Sequence, residues 1–245
     1  MKLLFLDTET TDIQPDARLV QLAYKSMETG ETVNEYFKPP VTITYGSMAI
    51  HHVTNEMVAA KPAFEGSEQE QNLRSRLETE IIVAHNAPFD INILQNEGIN
   101  VSKYIDTLRI ARHMIQADQY KLQYLRYFLN LNVEGLAHDA LGDVLVLEAL
   151  FNHLLNVVKE KFSLVNDDAI TEKLLELTKT PVVMDAFTFG KHRGKSFKEV
   201  NKTDQSYLKW LHGSEVKKPT EEQNEDLVHT LNFFLEKQVE TQLPF

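Results

Sequence analysis

The apolar positions along the chain change their period, and the changes divide it into strands and helices. Leu3 to Leu6 is a continuous apolar run cut off by Asp7, the pattern of a strand buried on both faces. Arg18 to Ser26 and Thr32 to Pro39 read as two further strands, with the hairpin signal Met27-Glu28-Thr29-Gly30-Glu31 between them. Ile81 to Ala84 is another short buried strand, followed by His85-Asn86-Ala87-Pro88-Phe89-Asp90. Helical spacing predicts a short turn over Asn55 to Ala60 and helices over Gln69 to Leu77, Asp90 to Asn96, Asp106 to Ile115 and Leu122 to Leu129. A long helix follows from Asp139 to Val158, with Leu141, Val144, Leu147, Leu150, Phe151, Leu154, Leu155 and Val158 on its apolar stripe. A β-rich start followed by alternating strands and helices implies an α/β mixed sheet with helices on both faces.

This first domain is expected to span residues 1–162. Residues 163–181 read as a polar, helix-prone connector, and residues 182–240 as a small α+β module. In that module Phe187 to Phe197 reads as two strands around a glycine-flanked turn. Asp204 to Leu211 reads as a short helix carrying the only tryptophan, Trp210, and a terminal helix runs from about Glu221 to Val239. Residues 241–245 form a tail.

Composition narrows the chemistry. The 245 residues are 42% apolar and 25% charged, ordinary for a globular protein with a sizeable core. There is no cysteine, which excludes disulfides and thiolate metal sites and fits a reducing cytoplasm, where the protein is expected to work. The N-terminal apolar run is too short for a signal peptide, and no run of membrane-spanning length is expected. The net charge of -11 argues against bulk coating of nucleic acid, though not against local handling through metals or a basic patch.

Against that acidic background, three segments each bring a carboxylate to the edge of a core element. Asp7 and Glu9 alternate along a strand, so they share a face about 7 Å apart. Asp90 follows the second buried strand, where open α/β sheets place their ligands. His138 and Asp143 are five residues apart and cannot share a helical face. If Asp139 caps the helix, His138 lies outside it and can fold back toward Asp143. Each feature alone has an ordinary explanation: a solvated strand end, a helix cap, a surface histidine. Together, four carboxylates in an apolar setting repel one another, and divalent cations relieve the conflict. All-oxygen ligation suits Mg²⁺ or Mn²⁺, and two such ions form the clamp used to cut phosphodiesters. A histidine beside the attacking water would serve as a base.

The segments Asp7-Thr8-Glu9, Asn86-Ala87-Pro88-Phe89-Asp90 and His138 to Asp143 resemble, in that order, the three motifs of the DEDDh group of 3′–5′ exonucleases, which has a ribonuclease-H-like fold. The resemblance covers about residues 1–161. It implies hydrolysis from a free 3′ end with release of 5′-mononucleotides. Asp7, Glu9, Asp90 and Asp143 would then hold two divalent ions, with His138 as general base. Thr8, Thr10 and Asn86 are implied contacts to the nucleic acid, as is His51 or its neighbour His52 in Ala49-Ile50-His51-His52-Val53-Thr54-Asn55, which resembles the family's loop beside the 3′-terminal nucleotide. Asp106 reads as a helix cap rather than a fifth ligand. Thr11 departs from the pattern, since glycine is common there.

In the small module, Lys191, Arg193, Lys195, Lys198, Lys202 and Lys209 stand against only Glu199 and Asp204. A cationic turn flanked by Gly190 and Gly194 suits phosphate contact, with Lys191, Arg193 and Lys195 as the expected donors. Phe189-Gly190-Lys191-His192-Arg193-Gly194-Lys195 followed by Tyr207-Leu208-Lys209-Trp210-Leu211 resembles the C-terminal module of exonuclease-X-like proteins, which points to DNA ends as substrate. RNA 3′-end trimming and a weakly active polymerase or clamp accessory are the alternatives. The tail Thr241-Gln242-Leu243-Pro244-Phe245 resembles peptides that dock on sliding clamps, which are therefore an expected partner.

Overall fold

A computed structural model describes residues 1–133 and 139–236, which fall into two compact units, Met1–Lys179 and one beginning at Thr180. The first unit opens with strands β1 (Leu3–Thr10), β2 (Leu19–Ser26) and β3 (Thr32–Tyr36). Helices α1 (Tyr45–His51), α2 (Asn55–Val58) and α3 (Glu68–Leu77) follow. Then come β4 (Ile81–Ala84), α4 (Ala87–Asn96), β5 (Tyr104–Asp106), α5 (Thr107–Met114), α6 (Leu122–Phe128), α7 (Ala140–Phe162) and α8 (Asp167–Lys179). The five strands form one mixed sheet in the order β3-β2-β1-β4-β5, with β1 antiparallel to β2 and parallel to β4.

The central strand explains the two-sided core. Leu3 and Phe5 face one way and pack with Val144, Leu147, Leu150, Phe151 and Leu154 of α7. The rings of Phe5 and Phe151 meet edge to face at 5.4 Å. Leu4 and Leu6 face the other way and pack with Leu73 of α3 and Ile91, Ile93 and Leu94 of α4. By length and apolar content α7 could cross a membrane, contrary to the expectation of no such run. Its apolar stripe is instead the cover of the sheet.

Three points differ from the sequence reading in ways that matter for function. β1 carries Asp7 and Glu9 as expected, but not at a solvated end. Pairing with β2 continues through Asp7, Thr8 and Glu9, opposite Ala23, Leu22 and Gln21, with an irregularity between Glu9 and Thr10. The two carboxylates therefore lie within a paired strand. Helix α4 starts three residues earlier than Asp90, because Asn86 takes the left-handed conformation (φ 67°) and Pro88 is tolerated in a first turn. The expected connector 163–181 supplies α8, whose Ile170, Leu174 and Leu177 join the first unit's core. Helix α1 has no counterpart in the sequence reading; Thr44 caps it by accepting from the Ser47 N–H.

The second unit holds α9 (Phe197–Thr203), α10 (Gln205–Glu215) and α11 (Glu225–Glu236) around Phe187, Phe197, Val200, Leu208, Leu211, Leu227 and Leu231. The expected pair of strands is a run of turns with a single bridge between Ala186 and Ser196. Gly190 (φ 64°) and Gly194 (φ 85°) turn the chain too sharply for a ladder to extend.

Candidate active site

The odd positions of β1 carry the site. Leu3 and Phe5 bury themselves against α7, and Asp7 and Glu9 continue that same face past the N-terminal end of the helix. Asp143 sits in the first turn of α7 and is 9% exposed. One carboxylate oxygen from each of Asp7, Glu9 and Asp143 lies within 4.8 Å of the others. Asp90, in the first turn of α4 and 4% exposed, is turned by Thr8: its Oδ1 accepts from the Thr8 N–H at 3.0 Å and from the Thr8 hydroxyl at 2.8 Å.

These carboxyl groups are held against their own preference for water. Burial raises Asp7 well above the carboxylate range, and Asp90, Asp143, Glu9 and Asp139 push it further. Glu9 rises from the usual 4.5 to about 8, through burial first and then Asp143, Asp90 and Asp139. Asp90 rises to about 7, mainly by burial, against the bonds from Thr8. A trio of oxygens this close, with a fourth carboxylate near enough to raise two of them, is a donor set for hard divalent cations.

Several supporting contacts had no signal in the sequence, even where the residue itself was read as a cap. Gln123 of α6 donates from its amide to Asp143 Oδ1. Asp139 caps α7 as expected, accepting from the Gly142 N–H at 3.3 Å, and also accepts from the Gln21 amide at 2.9 Å. Asp106 is indeed a cap, accepting from the Leu108 N–H, and its Oδ1 also accepts from the Asn86 N–H at 3.0 Å. That second bond fixes the turn that launches α4 and so positions Asp90. These contacts span 20 or more residues, apart from the two caps, and leave no periodic trace.

Comparisons with known proteins bear on the same residues. The family described as Exonuclease matches residues 4–151, which include β1, α4 and the start of α7. This chain belongs to the exonuclease family. The family described as Exodeoxyribonuclease X-like C-terminal matches residues 187–213. The chain is 32% identical over 216 residues to exodeoxyribonuclease 10 of Escherichia coli (strain K12), across 85% of this chain and 90% of that protein. It is 28% identical over 191 residues to the DNA polymerase III subunit epsilon of Buchnera aphidicola, covering 69% and 78% of the two chains. Among solved structures, exonuclease X in complex with 5′ overhanging duplex DNA aligns with a TM-score of 0.57 and 26% identity, covering 72% of this chain and 99% of that one. The fold is therefore the ribonuclease-H-like α/β fold with an exonuclease-X-like C-terminal unit, and members of this family use divalent metals.

Within this exonuclease the expected substrate contacts sort differently. Thr8 alternates with Asp7 and Glu9 along β1 and turns toward Asp90 instead. The Thr8 hydroxyl donates to Asp90 and the Thr10 hydroxyl to the Asp12 carbonyl at 2.7 Å, so each side chain already has a partner within the chain. His51 is buried, accepts at Nδ1 from the Val53 N–H at 3.0 Å, and donates from Nε2 to the Thr10 carbonyl at 3.1 Å. Burial lowers its pKa and keeps it neutral. It braces the end of β1. Asn86 is exposed and makes no capping bond with its side chain, so it remains open to a ligand. Thr11 is built into the turn after β1: its hydroxyl accepts from the Arg18 N–H at 2.9 Å, a bond glycine lacks. His138 and the tail 241–245 lie outside the described residues.

In the second unit, Lys191 pairs with Asp204 at 2.7 Å and Lys195 with Glu199 at 3.6 Å. Arg193 is exposed and has no carboxylate partner among the described residues. The basic turn is thus partly neutralised, and the contacts with phosphate expected of it fall first to Arg193.

Proposed function

We propose that this chain is a divalent-metal-dependent 3′–5′ exonuclease that removes 5′-mononucleotides from the 3′ ends of DNA. The observation that carries the reading is the meeting of Asp7, Glu9 and Asp143 oxygens within 4.8 Å, with buried Asp90 alongside. These four carboxylates are proposed to hold two Mg²⁺ (or Mn²⁺) ions. When bound, the ions supply charge for the reacting phosphate and lower the pKa of the attacking water. Thr8 and Gln123 orient Asp90 and Asp143 for that task. His138 is proposed to take the proton from the water as its oxygen attacks phosphorus and the 3′ oxygen departs. The 32% identity to an enzyme named an exodeoxyribonuclease supports DNA over RNA.

A digestion panel tests this. Single-stranded DNA, duplex DNA and RNA, each labelled at the 3′ end, are incubated with Mg²⁺ and the products identified. DNA is expected to release its label first, as a 5′-mononucleotide, and Asp7→Ala to remove the activity. His138→Ala should slow it by about 10²–10⁴-fold. Wild-type-like digestion by Asp7→Ala, release of the label as an oligonucleotide, or cleavage of RNA alone would refute the assignment.

A further inference from the structure

Helix α10 buries Leu208 and Leu211 in the second unit's core. It turns outward a face formed by Ser206, Lys209, Trp210 and Gly213, spaced at three, four and seven residues. Trp210 is 63% exposed and is the chain's only tryptophan. A Cβ at Gly213 would meet nothing within 4 Å, so the surface beside the indole is open.

The basic turn is seated against this helix. The Gly190 backbone lies so near the Tyr207 hydroxyl that a Cβ there would stand 2.7 Å from it. Lys191 Nζ sits 4.8 Å from the centroid of the Tyr207 ring, and that ring lies 5.5 Å from Trp210 at 33°. Asp204 caps α10 and accepts from Lys191, His192 and Ser206, which absorbs the nearest negative charge within the surface itself. Lys191, Tyr207 and Trp210 therefore form one continuous strip. Arg193 and Lys209 are exposed and have no carboxylate partner among the described residues.

We propose that this strip is a second nucleic-acid site, where a base of single-stranded DNA stacks on Trp210 and the neighbouring phosphates meet Arg193, Lys191 and Lys209. The proposal rests on the exonuclease reading for its choice of polymer. An exposed indole among cations suits a single strand, whose unstacked bases offer π-faces and whose backbone offers charge. The two lysines beside the indole favour this polymer over a protein partner, because lysine is depleted at the centres of protein interfaces. In a chain of net charge -11 the local positive surface also gives the acidic polymer a place to approach.

The sole tryptophan makes the test direct. The full chain, without metal, is titrated with a single-stranded oligonucleotide while tryptophan fluorescence and the anisotropy of the labelled strand are both followed. Expected is a saturable quench with the same midpoint as the anisotropy, present also in Asp7→Asn. Trp210→Ala should weaken binding by roughly 5–150-fold, with substantial recovery in Trp210→Phe. Arg193→Glu with Lys209→Glu should weaken binding and flatten its salt dependence. Saturation by anisotropy with unmoved fluorescence, no binding at all, or an equal quench by blunt duplex would overturn the proposal. Digestion of DNA without any quench would sink this site and leave the exonuclease reading standing. A quench without digestion would do the reverse.

Discussion

Two groups of carboxylates in this molecule have opposite surroundings. Asp204, at the start of α10, accepts from Lys191, His192 and Ser206, and its pKa is driven below the carboxylate range, first by Lys191. Asp7, Glu9 and Asp90 lie beside further carboxylates, with no cation in ion-pair contact among the described residues, and their pKa values are driven up. A carboxylate given its cations within the chain holds a helix and a turn in place. A cluster denied them stores repulsion that only an added cation relieves. The contrast separates structural acid from functional acid without reference to any relative.

The largest consequence is catalytic. Asp7→Asn or Asp143→Asn should lower DNA hydrolysis by on the order of 10³-fold or more. Asp204→Ala should leave kcat within about twofold and lower thermal stability instead, since it loses the cap of α10 and the pair with Lys191. Oligonucleotide digestion and thermal denaturation of the same preparations check both halves.

Next comes the pH dependence of the metal-free protein. Glu9 and Asp90 have folded pKa values above their ordinary ones, so the folded state binds the extra protons. Their contribution is full below pH about 4 and is lost as pH rises through about 7 and 8. The Tm measured in chelator should therefore fall across that window, more steeply than in Asp7→Asn, and added Mg²⁺ should cancel the fall. The lowered pKa of Asp204 works the other way, with stability present at neutral pH and lost only in strong acid.

Smaller effects belong to the supporting residues. Gln123→Ala removes one hydrogen bond that orients Asp143 and should cost about 10–100-fold in metal affinity or activity, read from the Mg²⁺ dependence of kcat. Thr11→Gly removes the bond from the Arg18 N–H and adds backbone freedom. It should cost about 1–2 kcal/mol of stability with kcat unchanged, measured by denaturant titration.

How much of this the sequence carried depended on whether the determinant was local. The double-sided burial of Leu3 to Leu6, the stripe of α7 and the caps Asp106 and Asp139 were legible because they rest on period and adjacent spacing. That Asp7 and Glu9 share one face of a strand was legible too; that they are paired with β2 rather than at a solvated strand end was not, because pairing is a long-range property. The second unit's strands failed for a similar reason, since two left-handed glycines outweighed the alternating side chains around them. At the site, the four carboxylates could be found from their motifs. The turn of Thr8 toward Asp90 became visible only once the bonds between them were known. His51 was assigned to the substrate from its loop, whereas its brace of β1 rests on a long-range bond to the Thr10 carbonyl that leaves no local trace.

The account's central claim is that the raised carboxyl groups are a cation site. Calorimetric titration of the metal-free chain with Mg²⁺ at pH 7, in buffers of different ionisation enthalpy, tests it most directly. Saturable binding with net proton release is predicted, because carboxyl groups held partly protonated must ionise to ligate. The release should shrink above pH 8 and vanish with binding in Asp7→Asn/Glu9→Gln. Proton-free binding, or equal binding by the double variant, would contradict it.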